Sequence, residues 1–183
     1  MSTRRLVSVG AVTAALASSL AVMPASAAPN TRVSSTDVTE AFLRPMEDDM
    51  ATATSARPLP GDHCEKVEDG AGPGNVAYGC FKTYGDSWII QDSKGEGAQT
   101  YIYWENWLYD GARWRPYRHG RCNNDLGAPN WGQCNKDYYE SGSTNYFGKK
   151  GSQMRFQVCD RHPFLPDMCS PTDIVGAPWI SNS

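Results

Sequence analysis

Gln99-Thr100-Tyr101-Ile102-Tyr103-Trp104-Glu105-Asn106-Trp107-Leu108-Tyr109 is the stretch that decides the fold class. It is dense in aromatic residues, which favour strands, and it holds neither glycine nor proline. On a strand, alternate residues share a face. One face would carry Tyr101, Tyr103, Trp107 and Tyr109 around Glu105. The other would carry Ile102, Trp104 and Leu108. The second set predicts a core face. The first is amphipathic, and Arg113, Trp114 and Tyr117 on the next strand would lie beside it.

The same texture extends on both sides. Short runs of Val, Ile, Tyr, Trp and Phe are separated by Gly, Asn, Asp and Pro clusters, the pattern of strands and turns. Strands are predicted over residues 76–82, 87–91, 99–108, 113–118, 143–147 and 152–159. A last one is expected over 174–180, where Pro178 confines it to an edge. The turn 92–97 joins the second and third. No long segment spaces apolar residues helically, and there is no internal repeat. The expected fold is all-β, an antiparallel β-sandwich of about seven strands.

The N-terminus differs in character. Arg4-Arg5 opens a start with no acid, 6–23 is an apolar run, Pro24 breaks it, and Ala25-Ser26-Ala27 is small enough for a peptidase. Residues 1–27 therefore read as a secretory signal peptide. The competing reading, a membrane anchor, lacks a basic stop-transfer cluster. Residues 28–60 hold no Cys, Trp or Tyr and read as a disordered N-terminal tail, a flexible linker or propeptide that folding would not need. Residues 61–183 hold all six Cys, six Trp and nine Tyr and form the expected domain. The formal charge of −3 becomes −5 once Arg4 and Arg5 leave with the signal. That argues against nucleic acid and against an anionic membrane surface. The expected product is soluble and extracellular.

Cys64, Cys80, Cys122, Cys134, Cys159 and Cys169 are the cysteines. Zinc would want close pairs, and the shortest interval here holds nine residues. Export makes disulfides the expected use. Many connectivities are open to six cysteines. Their order in three separated pairs, each around a turn-rich loop, favours local closure: 64–80, 122–134 and 159–169.

Several motifs carry a family resemblance: Gly79-Cys80-Phe81, the G-D-x-W-x-x-x-D stretch from Gly85 to Asp92, Gly120-Arg121-Cys122-Asn123-Asn124, and Met154-Arg155-Phe156-Gln157-Val158-Cys159 with Cys169-Ser170. Over residues 74–170 the chain resembles the small secreted all-β, disulfide-bonded proteins of actinomycetes, a family without assigned activity. The resemblance implies a β-sandwich with local disulfides. It carries over no functional residue.

Two surfaces are candidates for binding. Tyr101, Tyr103 and Trp107, with Glu105 and Arg113 as polar orienters, suit the apolar faces and hydroxyls of sugars, a cell-wall glycan for example. Ordinary cross-strand packing is the competing use of the same residues. The second surface is Asp160-Arg161-His162-Pro163-Phe164-Leu165-Pro166-Asp167-Met168. Two prolines and a closing disulfide would stiffen it, with Phe164 and Leu165 as anchors for a secreted protein.

Catalytic signals are weak. Gly85-Asp86-Ser87 echoes a serine-protease tripeptide but continues Trp88-Ile89, and no G-x-S-x-G elbow exists. His63, His119 and His162 sit in no motif. Glu105 with Asp110 or Glu140 could be drawn as a glycosidase pair, for which separation is the test. Asn123-Asn124-Asp125 and residues 92–96 are oxygen-rich turns without calcium-loop spacing. No metal or cofactor is implied. The expected function is a non-catalytic extracellular binding module. A protease inhibitor acting through the 159–169 loop is the alternative, and a small hydrolase comes third. Exposed coplanar aromatics would mark a glycan binder, a projecting Phe164–Leu165 loop an inhibitor.

Overall fold

The structure is a computed structural model that describes residues 41–68, 75–95, 99–171 and 174–182. The predicted signal peptide, residues 1–27, and residues 28–40 of the predicted tail lie outside the described residues. The described residues hold eleven strands and no helix. In order they are β1 (Glu47–Met50), β2 (Thr52–Ala53), β3 (His63–Glu68), β4 (Asn75–Lys82), β5 (Ser87–Asp92), β6 (Gln99–Tyr109), β7 (Trp114–Asn124), β8 (Trp131–Asn135), β9 (Ser152–Arg161), β10 (Met168–Cys169) and β11 (Ile180–Ser181). The first sheet runs β1-β7-β6-β9-β10, with β11 also on β9, and the second runs β2-β8-β5-β4-β3. Every pairing is antiparallel except β1 with β7. The fold is the predicted all-β, two-sheet architecture.

The core lies between the sheets. From β6 it takes Ile102, Trp104 and Leu108, the predicted inner set, all fully buried. Trp88 of β5 faces them, stacked at 6.4 Å on Trp104 and tilted at 5.1 Å against Phe156 of β9. Its indole N–H donates to the Tyr138 hydroxyl at 2.9 Å, so the buried polar atom keeps a partner. Gly79 of β4 lets the sheets close: a Cβ there would stand 2.9 Å from both Ile102 and Val158.

All three disulfides are the local ones. Cys64–Cys80 and Cys159–Cys169 join residues directly opposite on paired strands. Cys122–Cys134 is different, because it ties β7 of the first sheet to β8 of the second.

Three expectations need correction. First, residues 41–60 are not a tail apart from the domain. Within them β1 pairs with β7, Ala51 is buried, and β2 pairs with β8, so the segment straps one edge of the sandwich. Ion pairs hold this acidic strand. Arg118 grips Glu47 with Nε at 2.6 Å and Nη2 at 3.0 Å. Lys136 reaches Glu47 at 2.7 Å and also bonds Asp49. Burial pushes the Glu47 carboxyl up, but its bonds from Arg118 and Lys136 outweigh that and leave it below the usual range. The domain boundary at 61 therefore cuts through the fold.

Second, 143–147 is not a strand. Asn145 folds it into a compact turn: its side chain accepts from Phe147 N at 2.9 Å and donates to Tyr109 O and Gly151 O, each at 2.9 Å. A side chain that satisfies its own backbone competes with a ladder. Third, the strands number more than seven. The reading missed β1, β2, β3, β8 and β10, extended β7 too little, and extended the last strand too far, since only Ile180–Ser181 pairs.

Candidate functional site

The outer face of the first sheet brings Tyr101, Tyr103, Glu105 and Trp107 together, as alternation on β6 requires. Glu105 is the hub. Its carboxylate accepts from Arg155 Nε at 2.7 Å, Trp107 Nε1 at 2.9 Å and Tyr103 Oη at 3.3 Å. Arg155 comes from β9, opposite Glu105 in register. Arg113 does not join them. It sits in the β6–β7 turn beyond the Tyr109–Trp114 pair, where its backbone N–H donates to Asp110 at 2.8 Å.

This face is covered. Tyr101 and Glu105 are each only 6% exposed. Phe42 of the strap stacks on His119 at 4.2 Å and meets Trp107 edge-on at 6.2 Å. Trp179 meets Trp107 at 5.4 Å, and the Arg155 guanidinium lies 4.7 Å from the Trp179 ring centroid and 5.3 Å from that of Trp107. Burial pushes His119 below its ordinary pKa, against the opposing pull of Glu105 and Glu47. The flat, open platform expected for a sugar is absent from these strands. Trp107→Ala should accordingly lower folding stability by about 2 kcal/mol, less than the ~3–5 of a fully buried Trp. Urea denaturation checks this; a change under ~0.5 kcal/mol would mean that the indole is not part of the packing.

The 159–169 loop projects. Phe164 is 95% and Leu165 69% exposed. Below them the base is locked. Cys159 and Cys169 are bonded, Met168 pairs with Asp160, and Asp167 accepts from Tyr101 Oη at 2.7 Å. Burial, then the bond to Asp167, pushes the Tyr101 hydroxyl up to about 12, so that bond keeps its proton through the neutral range.

Of the residues considered for catalysis, Asp86 and Ser87 are built into the fold. Asp86 occupies the left-handed region at φ 47°, after Gly85 at 97°, and its carboxylate accepts from Tyr138 N at 2.7 Å. Ser87 is buried where β5 begins. Glu105 and Asp110 are five residues apart on one extended segment, about 16 Å, well beyond a glycosidase spacing of about 5–9.5 Å. Asp110 instead caps its turn, accepting from Ala112 N and Arg115 Nε as well as from Arg113 N, and these hold its carboxyl down at about 2. Burial, and then the charges of Asp86 and Asp137, raise the Glu140 carboxyl above its usual range. His63 opens β3, and His162 lies 3.4 Å from Asp160. Asn123 and Asn124 are not a turn but the end of β7, and they tie strands together, Asn123 by donating to Asp48 and Asn124 by donating to Ile90 O. The Asp92 carboxylate accepts from Lys94 N at 3.0 Å; Glu96 lies outside the described residues.

A groove that the sequence reading missed lies beside the strap, where Tyr117, Tyr139 and Tyr146 cluster with Arg44 and Arg118. Its residues come from four separated segments, and the doublet Tyr138-Tyr139 was the one local signal for it.

The chain matches no protein-family model, no curated protein and no solved structure. All six cysteines are bonded, which is the chemistry of an oxidising, extracellular compartment. Among the described residues no helix is long and apolar enough to cross a membrane.

Proposed function

We propose that this chain is a secreted, soluble, non-catalytic interaction module that grips a partner protein with its 159–169 loop. In its sharper form it inhibits a secreted protease whose specificity pocket takes a large apolar side chain. Export is supported by the basic, apolar and Ala-x-Ala segments of residues 1–27, together with the disulfides.

The observation that carries the reading is the near-complete exposure of Phe164 on a turn fixed at both ends. A phenyl ring held in water forgoes the roughly 1.5–3 kcal/mol that burial would give. Pro163 and Pro166 bracket Phe164-Leu165 and restrict the free loop, so little entropy is lost on docking. Central aromatic anchors carry much of the energy of such interfaces.

Titration of the disulfide-bonded protein into chymotrypsin-like and subtilisin-like proteases, followed by residual activity, tests the proposal. The expected result is stoichiometric inhibition of at least one enzyme, weakened about 30-fold or more by Phe164→Ala. Thermal stability should not change, because the ring touches little. Rapid cleavage after Phe164 without inhibition would make the loop a substrate and overturn the inhibitor form. Undiminished binding by Phe164→Ala to a captured partner would overturn the loop as the working element.

A further inference from the structure

We infer that the groove between the strap and the Tyr138–Tyr139 segment is a second binding site, and that its ligand is a neutral oligosaccharide. It shares no residue with the 159–169 loop, so the two readings stand or fall separately.

Two neighbouring cavities share Tyr117 and Arg118. One cavity of about 250 Å³ is lined by Tyr117, Arg118, Asp137, Tyr138 and Tyr139. A neighbouring one of about 410 Å³ is lined by Arg44, Pro45, Glu47 and again Tyr117 and Arg118. Both fall near the scale of small-ligand sites, about 300–1,000 Å³. The walls are aromatic. Tyr117, itself only 6% exposed, lies 5.9 Å from Tyr139 and 5.4 Å from Tyr146, ring to ring, and Tyr146 stands beside the lining at 55% exposure. The Arg44 guanidinium stands 5.7 Å from the Tyr117 centroid and 5.8 Å from that of Tyr146.

Charge narrows the ligand class. Arg118 is committed to Glu47 by two bonds and to Asp137 O at 2.6 Å. Lys136 is committed to Glu47 and Asp49. Arg44 lines one cavity and Asp137 the other, so the two together add one charge of each sign and leave no formal excess for an anion or a cation. Among the described residues Pro45 is the one aliphatic residue of the lining, which disfavours a peptide with aliphatic anchors. What remains is the accessible part of Tyr139 and Tyr146, tilted at 55° and 33° against the buried Tyr117 and edged by hydroxyl and guanidinium groups. A pyranose matches it, with an apolar C–H face to stack and hydroxyls around its rim to donate and accept.

The experiment is calorimetric titration of the disulfide-bonded chain with four probes: a neutral N-acetylglucosamine tetramer, a neutral glucose tetramer, polyglutamate and spermine. Binding of a neutral tetramer at millimolar affinity or better is expected. It should weaken about tenfold in Tyr146→Ala and again in Tyr139→Ala, with the thermal midpoint of Tyr146→Ala unchanged, and persist in Phe164→Ala. Binding of polyglutamate or spermine alone would overturn the proposal in favour of a charged-ligand site. Silence of both neutral tetramers, or neutral binding indifferent to both tyrosine variants, would also overturn it.

Discussion

A chain cut to begin at Gly61 is expected to lose most of its stability. The cut removes β1 and β2 and uncovers the edges of β7 and β8 that they close. Lys136, whose side chain is 5% exposed, loses both carboxylates it holds. A buried charge deprived of its partner costs ~3–5 kcal/mol, and the lower end applies here because Asp49 is partly solvated. Backbone groups stripped of partners add about 1 kcal/mol each where water cannot reach them. Phe42 and Arg57 go as well, baring His119 and Trp131. The loss should exceed ~5 kcal/mol, comparable with a typical net stability of ~5–15. Thermal melts of chains 41–183 and 61–183 decide it: midpoints within a few degrees would show that the strap is dispensable. Gly120→Ala offers a check without deletion. A Cβ there would stand 2.3 Å from the Glu47 carbonyl oxygen and 2.8 Å from Trp104, so it should push β1 off its edge.

Replacing Cys122 and Cys134 together by alanine is expected to cost more than removing either other bridge. By loop length alone 64–80 should matter most, since it spans 16 residues against 12 for 122–134 and 10 for 159–169. That model gives each about 3 kcal/mol, with small differences. Architecture reverses the order. The 64–80 and 159–169 bridges fasten strands already joined by a ladder, whereas 122–134 fastens sheets that meet through side chains. Its two cysteines belong to the core cluster between the sheets, so alanine also leaves a void there, and the total should approach ~4 kcal/mol. Urea denaturation of the three double variants ranks them. If the 64–80 pair proves the most costly, chain entropy governs and the inter-sheet role is minor.

Period-two alternation made the inner face of β6 legible, because Ile102, Trp104 and Leu108 are unambiguous. Its outer face was half legible. The same periodicity brought Tyr101, Tyr103, Glu105 and Trp107 together, but their cover, Phe42 and Trp179, comes from distant parts of the chain. Arg113 is expected on the following strand, but β7 begins only at Trp114, and the register puts Arg155 of β9 beside Glu105. The strap was illegible for a clear reason. Glu47-Asp48-Asp49-Met50 has little strand propensity, and what makes it a strand is Arg118, 71 residues on, and Lys136, up to 89 residues on. Residues 143–147 misled in the opposite direction, their aromatics favouring a strand that Asn145 prevents. The projecting loop was legible because prolines and cysteines act locally. The tyrosine groove was not, because it exists only once four segments meet.

The strap also sets an order of events in time. Synthesis makes β1 and β2 first, yet Glu47 pairs with Gly120 and Thr52 with Gln133. The earliest described strands therefore have no partners until more than 70 further residues have been made. Contacts so far apart in sequence form slowly, since a long loop must close before they stabilise anything. Until the strap has closed on them, β7 and β8 present bare edges, the kind of edge that recruits strands from other molecules. The first part of this fold to be synthesised is among the last able to dock, and its arrival ends the interval in which the chain is most prone to aggregate.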